Sequence, residues 1–176
     1  GSGNDARRES ETVVDLMEKF MEAGFKKETA VKLMNSAMVL QGTKESYSTL
    51  DYGELDLYTG KLELLKVGAS ASFIKRKTDV ELIRADTLPA GFDANQELYS
   101  VKKTLQDGDF LVMVTDGVLE YLHADNPEEC LMQIISEIRT DNAGVLAKSI
   151  LEQVLECTGG FAIDDMTVLT TGIWER

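Results

Sequence analysis

Apolar residues recur at steps of three and four in the first part of the chain, and the period then shortens. Val13, Leu16, Met17, Phe20 and Met21 fall on one face of a helix that Gly24 is placed to stop. Ala30, Val31, Met34, Ala37 and Met38 mark a second helix after a short link, which predicts a hairpin or an angled pair. From Tyr47 the pattern is that of strands. Tyr47 to Leu57 and Leu62 to Val67 flank the turn Thr59-Gly60-Lys61, a hairpin signal.

Gly68-Ala69-Ser70 breaks the second of these strands. Phe73-Ile74 and Val80 to Ile83 predict a short strand pair around Lys77-Thr78-Asp79, followed by a loop at Leu88-Pro89-Ala90-Gly91. Leu98 to Val101 predicts a further strand, Gln106-Asp107-Gly108-Asp109 a turn, and Phe110 to Val114 an unbroken apolar strand of the fully buried kind. After Thr115-Asp116-Gly117 the pattern turns helical. Asn126-Pro127-Glu128-Glu129 has the residues of a helix start: a cap, a proline at the first position and acids in the first turn. That helix carries Leu131, Ile134, Ile135 and Ile138 inward. A last helix starts near Asn142, buries Val145, Leu146, Ile150, Leu151, Val154 and Leu155, and ends at Gly159-Gly160. Met166 to Trp174, rich in Thr and Val, predicts a closing strand. Helix pairs segregated from hairpin strands predict the α+β class rather than alternating βαβ units, in a single domain over residues 1–176.

Composition narrows the function classes. The 176 residues suit one domain with a real core, and 43% apolar and 7% aromatic residues do not describe a disordered chain. With 31 acidic and 18 basic residues the formal charge is −13, which disfavours nucleic acid and anionic lipid as partners. No apolar run reaches the length of a membrane-spanning helix, so no membrane contact by this chain is expected. Cys130 and Cys157 form no metal-ligating spacing and are expected as small buried residues of helices in a reducing cytoplasm. His123, the one histidine, is expected on a surface loop.

Two acidic positions could carry chemistry. Asp116 ends the apolar strand and precedes Gly117, so a rigid scaffold presents its carboxylate beside a residue that permits close approach. Asp164-Asp165 precede the closing strand. Carboxylates from separate strand ends can converge on a hard divalent cation. On spacing alone the plainer readings stand ahead, with Asp116 a turn or cap residue and the paired aspartates a solvated turn.

Several segments together resemble the PP2C-like protein phosphatases, in the stage II sporulation protein E branch. They are Thr115-Asp116-Gly117, Ile163-Asp164-Asp165-Met166-Thr167-Val168, Tyr47-Ser48-Thr49-Leu50-Asp51, Lys66-Val67-Gly68-Ala69-Ser70 with Phe73-Ile74-Lys75-Arg76, and Leu88-Pro89-Ala90-Gly91. The opening Gly1-Ser2-Gly3-Asn4-Asp5-Ala6 with Glu9-Ser10 is similar to the stretch that follows the second acidic motif of that branch. The resemblance implies an antiparallel β-sandwich flanked by helix pairs, here without its first strands. It implies Asp116 and Asp164 as ligands of a manganese or magnesium centre, supported by Gly117 and Asp165. It implies direct attack of metal-activated water on a phosphoester, with no phosphoenzyme. The implied substrate is phosphoserine on a small regulatory protein of the anti-anti-sigma type, in sporulation signalling in the cytoplasm.

Two further acidic motifs of the family, a Gly-Asp pair and an Asp-Gly-Met-Gly segment, do not occur in these residues. The expectation is therefore a fragment with little activity of its own, from a parent that an upstream region could anchor to a membrane. Strand edges left without neighbours predict a homo-oligomer. The rival expectation is a non-catalytic interaction module on the same fold.

Overall fold

The computed structural model describes residues 4–41, 47–157 and 165–174, with side chains described from residue 10 to 40 in the first stretch. α1 (Asn4–Glu22) and α2 (Lys27–Gln41) lead into β1 (Leu50–Leu55), β2 (Lys61–Val67), β3 (Ser72–Lys75), β4 (Val80–Ile83), β5 (Tyr99–Thr104) and β6 (Phe110–Val114). α3 (Asp116–Glu120), α4 (Pro127–Glu137), α5 (Ala143–Cys157) and β7 (Val168–Gly172) follow. The expected α+β order is therefore present. β1, β2 and β5 form a three-stranded sheet in that order, and β4, β3, β6 and β7 a four-stranded one. The chain divides into two compact units, one of residues 1–53, 64–69 and 85–100, the other of residues 54–63, 70–84 and 101–176.

In the first unit, α1 ends as its glycine predicts. Gly24 has φ +83°, and the Phe25 N–H reaches back to the Phe20 carbonyl at 3.1 Å, a left-handed helix stop. Val13 and Met17 of α1 then meet Val31, Met34 and Met38 of α2 over Leu65 and Val67 of β2, all buried. Two of the quoted segments touch here. Gly68, at φ +60°, lies so close to the 88–91 loop that a Cβ would stand 2.6 Å from Pro89 Cα. The Thr87 hydroxyl accepts from the Gly68 N–H at 2.9 Å, and Ser48 bridges Ala90. Lys66 is fully buried and ion-paired to Asp51. Burial pushes its pKa down, and the bond to Asp51 partly restores it.

In the second unit every strand of the four-stranded sheet is antiparallel to its neighbours, with Lys75 opposite Phe110 and Val114 opposite Val168. α4 packs on β3 and β4, and α5 packs on β7. Phe73, Val112, Leu131, Ile135, Leu146 and Ile150 centre this core. The start of α4 is as the sequence predicts: the Asn126 side chain accepts from the Glu129 N–H at 3.2 Å, with Pro127 in the first turn.

Some expectations need correction. Val145 is 50% exposed. The buried stripe of α5 is Leu146, Ile150 and Val154, four residues apart, and Val145 lies about 100° off it. Cys157 is exposed because it is the last residue of α5, beyond that stripe, while Cys130 is half-buried against the core. Met21 is 36% exposed near the end of α1. The strands expected at 47–57 and 166–174 are shorter, and the one expected at Leu98 to Val101 runs from Tyr99 to Thr104. His123 is exposed, as expected. The helix stop expected at Gly159-Gly160 lies outside the described residues.

Lys75 gives this unit a pH signature. Its ammonium is buried and donates to the Ile135 carbonyl at 2.7 Å, meeting the negative end of α4. Burial first, and the Arg139 charge second, hold its pKa below the ordinary 10.5. Between the lowered folded pKa and the unfolded one, the unfolded chain binds more protons, so stability rises with pH in that window. The unfolding free energy of the wild type should therefore gain on that of Lys75→Met as the pH is raised toward about 10.5. Chemical denaturation of both proteins across that range checks it, and a pH-invariant difference would refute it.

Candidate metal centre

The buried run Phe110 to Val114 forms β6 because both of its faces need apolar side chains, and it fixes where Asp116 stands. β7 pairs antiparallel with β6 through Val114 and Val168. Thr115 extends that register by one residue. Its N–H donates to the Thr167 carbonyl at 3.1 Å, and its Oγ1 accepts from the Thr167 N–H at 2.9 Å. The Thr115 side chain is thus used across the sheet and makes no bond capping α3.

Asp116 is the first residue of α3 and is exposed. Its Oδ1 accepts from the Gly117 N–H at 3.0 Å, which fixes the carboxylate at the strand–helix junction and leaves a second oxygen as acceptor. It is therefore not the N-cap of that helix, since Thr115 occupies the cap position. Gly117 is buried, and a Cβ on it would stand 2.5 Å from the Asp165 carbonyl oxygen. Only glycine lets residues 165–167 lie this close to the start of α3. The two acidic segments named from the sequence therefore come together through Thr115–Thr167 and Gly117–Asp165. Asp165 is exposed at that point. Asp164, the second expected ligand, lies outside the described residues.

The donor chemistry at Asp116 fits magnesium or manganese, which take carboxylate and water oxygens. Among the described residues no three His, Cys, Asp or Glu side chains converge as a metal cluster. What was not foreseen from the sequence lies in the basic residues. Lys66 pairs with Asp51, and Arg76 joins Asp109 and Glu81, the latter at 3.2 Å. Lys66 lies inside β2 and Arg76 follows the end of β3, and neither residue type gives a local sign of such pairing. Only the long-range pairing of strands supplies their partners.

The family model described as stage II sporulation protein E (SpoIIE) matches residues 1–173. Stage II sporulation protein E of Bacillus subtilis (strain 168) is 35% identical over 176 residues, covering 98% of this chain and 21% of that protein. A solved structure of the PP2C phosphatase domain with a fragment of the regulatory domain of SpoIIE from Bacillus subtilis superposes with a TM-score of 0.88. It shares 35% identity and covers 98% of this chain and 52% of its own. A manganese-presoaked structure of the SpoIIE phosphatase domain from Bacillus subtilis gives a TM-score of 0.71 at 32% identity, covering 93% of this chain and 74% of its own. The chain thus spans about a fifth of the length of the curated Bacillus subtilis relative it matches.

Proposed function

The chain belongs to the stage II sporulation protein E family, and from that membership we propose that it forms part of a manganese- or magnesium-dependent protein serine/threonine phosphatase. The substrate in this reading is phosphoserine on a small regulatory protein of the anti-anti-sigma type, in sporulation signalling, and the working compartment is the cytoplasm. The observation that carries the reading is the junction at Asp116, where a carboxylate at the end of a buried strand stands beside the 165–167 segment. No helix among the described residues is long and apolar enough to cross a membrane.

Asp116 would hold the cation, with Asp164 as a second carboxylate ligand. A divalent cation bound there supplies Lewis-acid stabilisation of the phosphoryl group and activation of water. The chain's own part is positional. The Gly117 N–H holds one carboxylate oxygen, the Thr115–Thr167 pair holds the two segments together, and Gly117 leaves Asp165 its place. The resting −13 charge suits a surface that gathers cations before substrate.

The test is a chimera in which this chain replaces the matching segment of the Bacillus subtilis relative. It should hydrolyse phosphoserine from a phosphorylated regulatory protein in manganese, lose that activity in EDTA and regain it on manganese addition. A folded chimera that binds the phosphoprotein without metal-dependent turnover would reject the enzyme and support an interaction module.

A further inference from the structure

A cavity of about 370 Å³ lies between the β3–β4 turn and the end of α4, lined by Lys75 at the end of β3, the turn residues Arg76 to Asp79, Ser136 and Arg139. Four of these side chains are cationic and one, Asp79, is a carboxylate, so the wall carries 4 − 1 = +3 within a chain of formal charge −13. Such a concentration of one sign needs an account.

Part of it is structural. Lys75 donates to the Ile135 carbonyl and so neutralises the negative end of α4. Arg76 is held by Asp109 and Glu81. Asp79 accepts from the Thr78 hydroxyl at 3.3 Å. The other two cations are less committed. Lys77 reaches only Asp107, at 3.8 Å and with 74% of its side chain exposed. Arg139 makes no hydrogen bond or ion pair among the described residues, although it stands near enough to Lys75 to depress its pKa. Asp109 and Glu81 answer Arg76, and Asp107 answers Lys77 loosely, so the cation left without an ion-pair partner among the described residues is Arg139.

The cavity is not the Asp116 centre. Lys75 sits opposite Phe110, at the start of β6, whereas Asp116 follows the end of β6. Five strand residues at about 3.4 Å each separate the two ends of the sheet.

The geometry points to a pocket for a phosphate-class oxyanion, free phosphate or a phosphate monoester, held by Arg139 and Lys77, since the Ser136 and Thr78 hydroxyls already donate to the Gln133 carbonyl and to Asp79. A guanidinium offers paired donors that match phosphate oxygens, and an ammonium adds a point charge. The volume exceeds that of a bare phosphate, which leaves room for the group that bears an ester.

The experiment uses the 176-residue chain in EDTA, so that no metal at Asp116 can hold the anion. Inorganic phosphate and a phosphoserine peptide are titrated separately at constant ionic strength, and binding is followed by phosphorus NMR line broadening and calorimetry. Saturable binding is expected, weakened about tenfold or more in Arg139→Gln and less in Lys77→Gln, the range for one charge-assisted contact. Asp116→Asn should bind as the wild type does. Binding of both probes assigns the phosphate group alone as the ligand, and binding of the peptide alone assigns the ester. Absence of saturable binding for both probes, or equal binding by wild type and Arg139→Gln, would overturn the assignment. Arg139 is exposed, so its substitution does not disturb the core.

Discussion

Replacing Asp116 by Asn in the chimeric phosphatase is expected to lower kcat/KM by about a thousandfold, some 4 kcal/mol of transition-state stabilisation. The substitution is a clean one for geometric reasons. Asn keeps an oxygen that can accept from the Gly117 N–H, as Asp116 Oδ1 does at 3.0 Å, and the residue is exposed. What is lost is the negative charge and the hard anionic donor, which a divalent cation needs. The melting temperature should therefore stay near that of the parent while turnover collapses. Asp165→Asn should cost less, about tenfold to a hundredfold, the range for a group that supports a ligand without being one. Steady-state assays over a manganese series separate the two cases, because a lost ligand raises the manganese concentration needed for half activity. Equal turnover in Asp116→Asn and the parent would remove Asp116 from the metal centre and with it the basis of the proposed activity.

How far the sequence led depends on the range of the interaction. Features set by neighbours along the chain were legible. The apolar run Phe110–Val114 is a buried strand, Gly24 stops α1, and Asn126-Pro127 opens α4 with the expected cap. Features set across the sheet were not. β2 has the burial pattern of a strand covered on both faces in its second half, so Lys66 lies inside where alternation alone gives no reason for burial. Val145 was misplaced because two neighbouring helix positions, 100° apart, both carry apolar side chains, and packing selects Leu146. At the candidate site, the residue types at Asp116 and Gly117 were legible, but their meaning came from resemblance. The contact that joins them to the second acidic segment spans 52 residues, from Thr115 to Thr167, and no local pattern encodes it.

Gly117→Ala should lower stability by about 2 kcal/mol, even though alanine is the better helix former. Helix propensity alone would favour the substitution by roughly 1 kcal/mol. Against it stands a collision with backbone: the new methyl would lie 2.5 Å from the Asp165 carbonyl oxygen and 3.4 Å from its carbonyl carbon. A flexible side chain could swing away, but a carbonyl can move only with its segment. Moving residues 165–167 pulls on the paired bonds between Thr115 and Thr167, each worth about 0.5–1.5 kcal/mol. Moving α3 instead displaces Val118, which is fully buried in the second core. Both routes cost more than the propensity gain. For a chain of this size the loss corresponds to a melting temperature about 4–8 °C lower. The second consequence is at the site itself, because either displacement separates Asp116 from the 165–167 segment. In the chimera, Gly117→Ala should therefore lose turnover at temperatures where it remains fully folded. Circular dichroism melts alongside assays well below the transition test both halves. Unchanged stability would mean that the two segments do not approach as closely as 2.5 Å requires, and full activity in a destabilised variant would mean that their approach does not position Asp116.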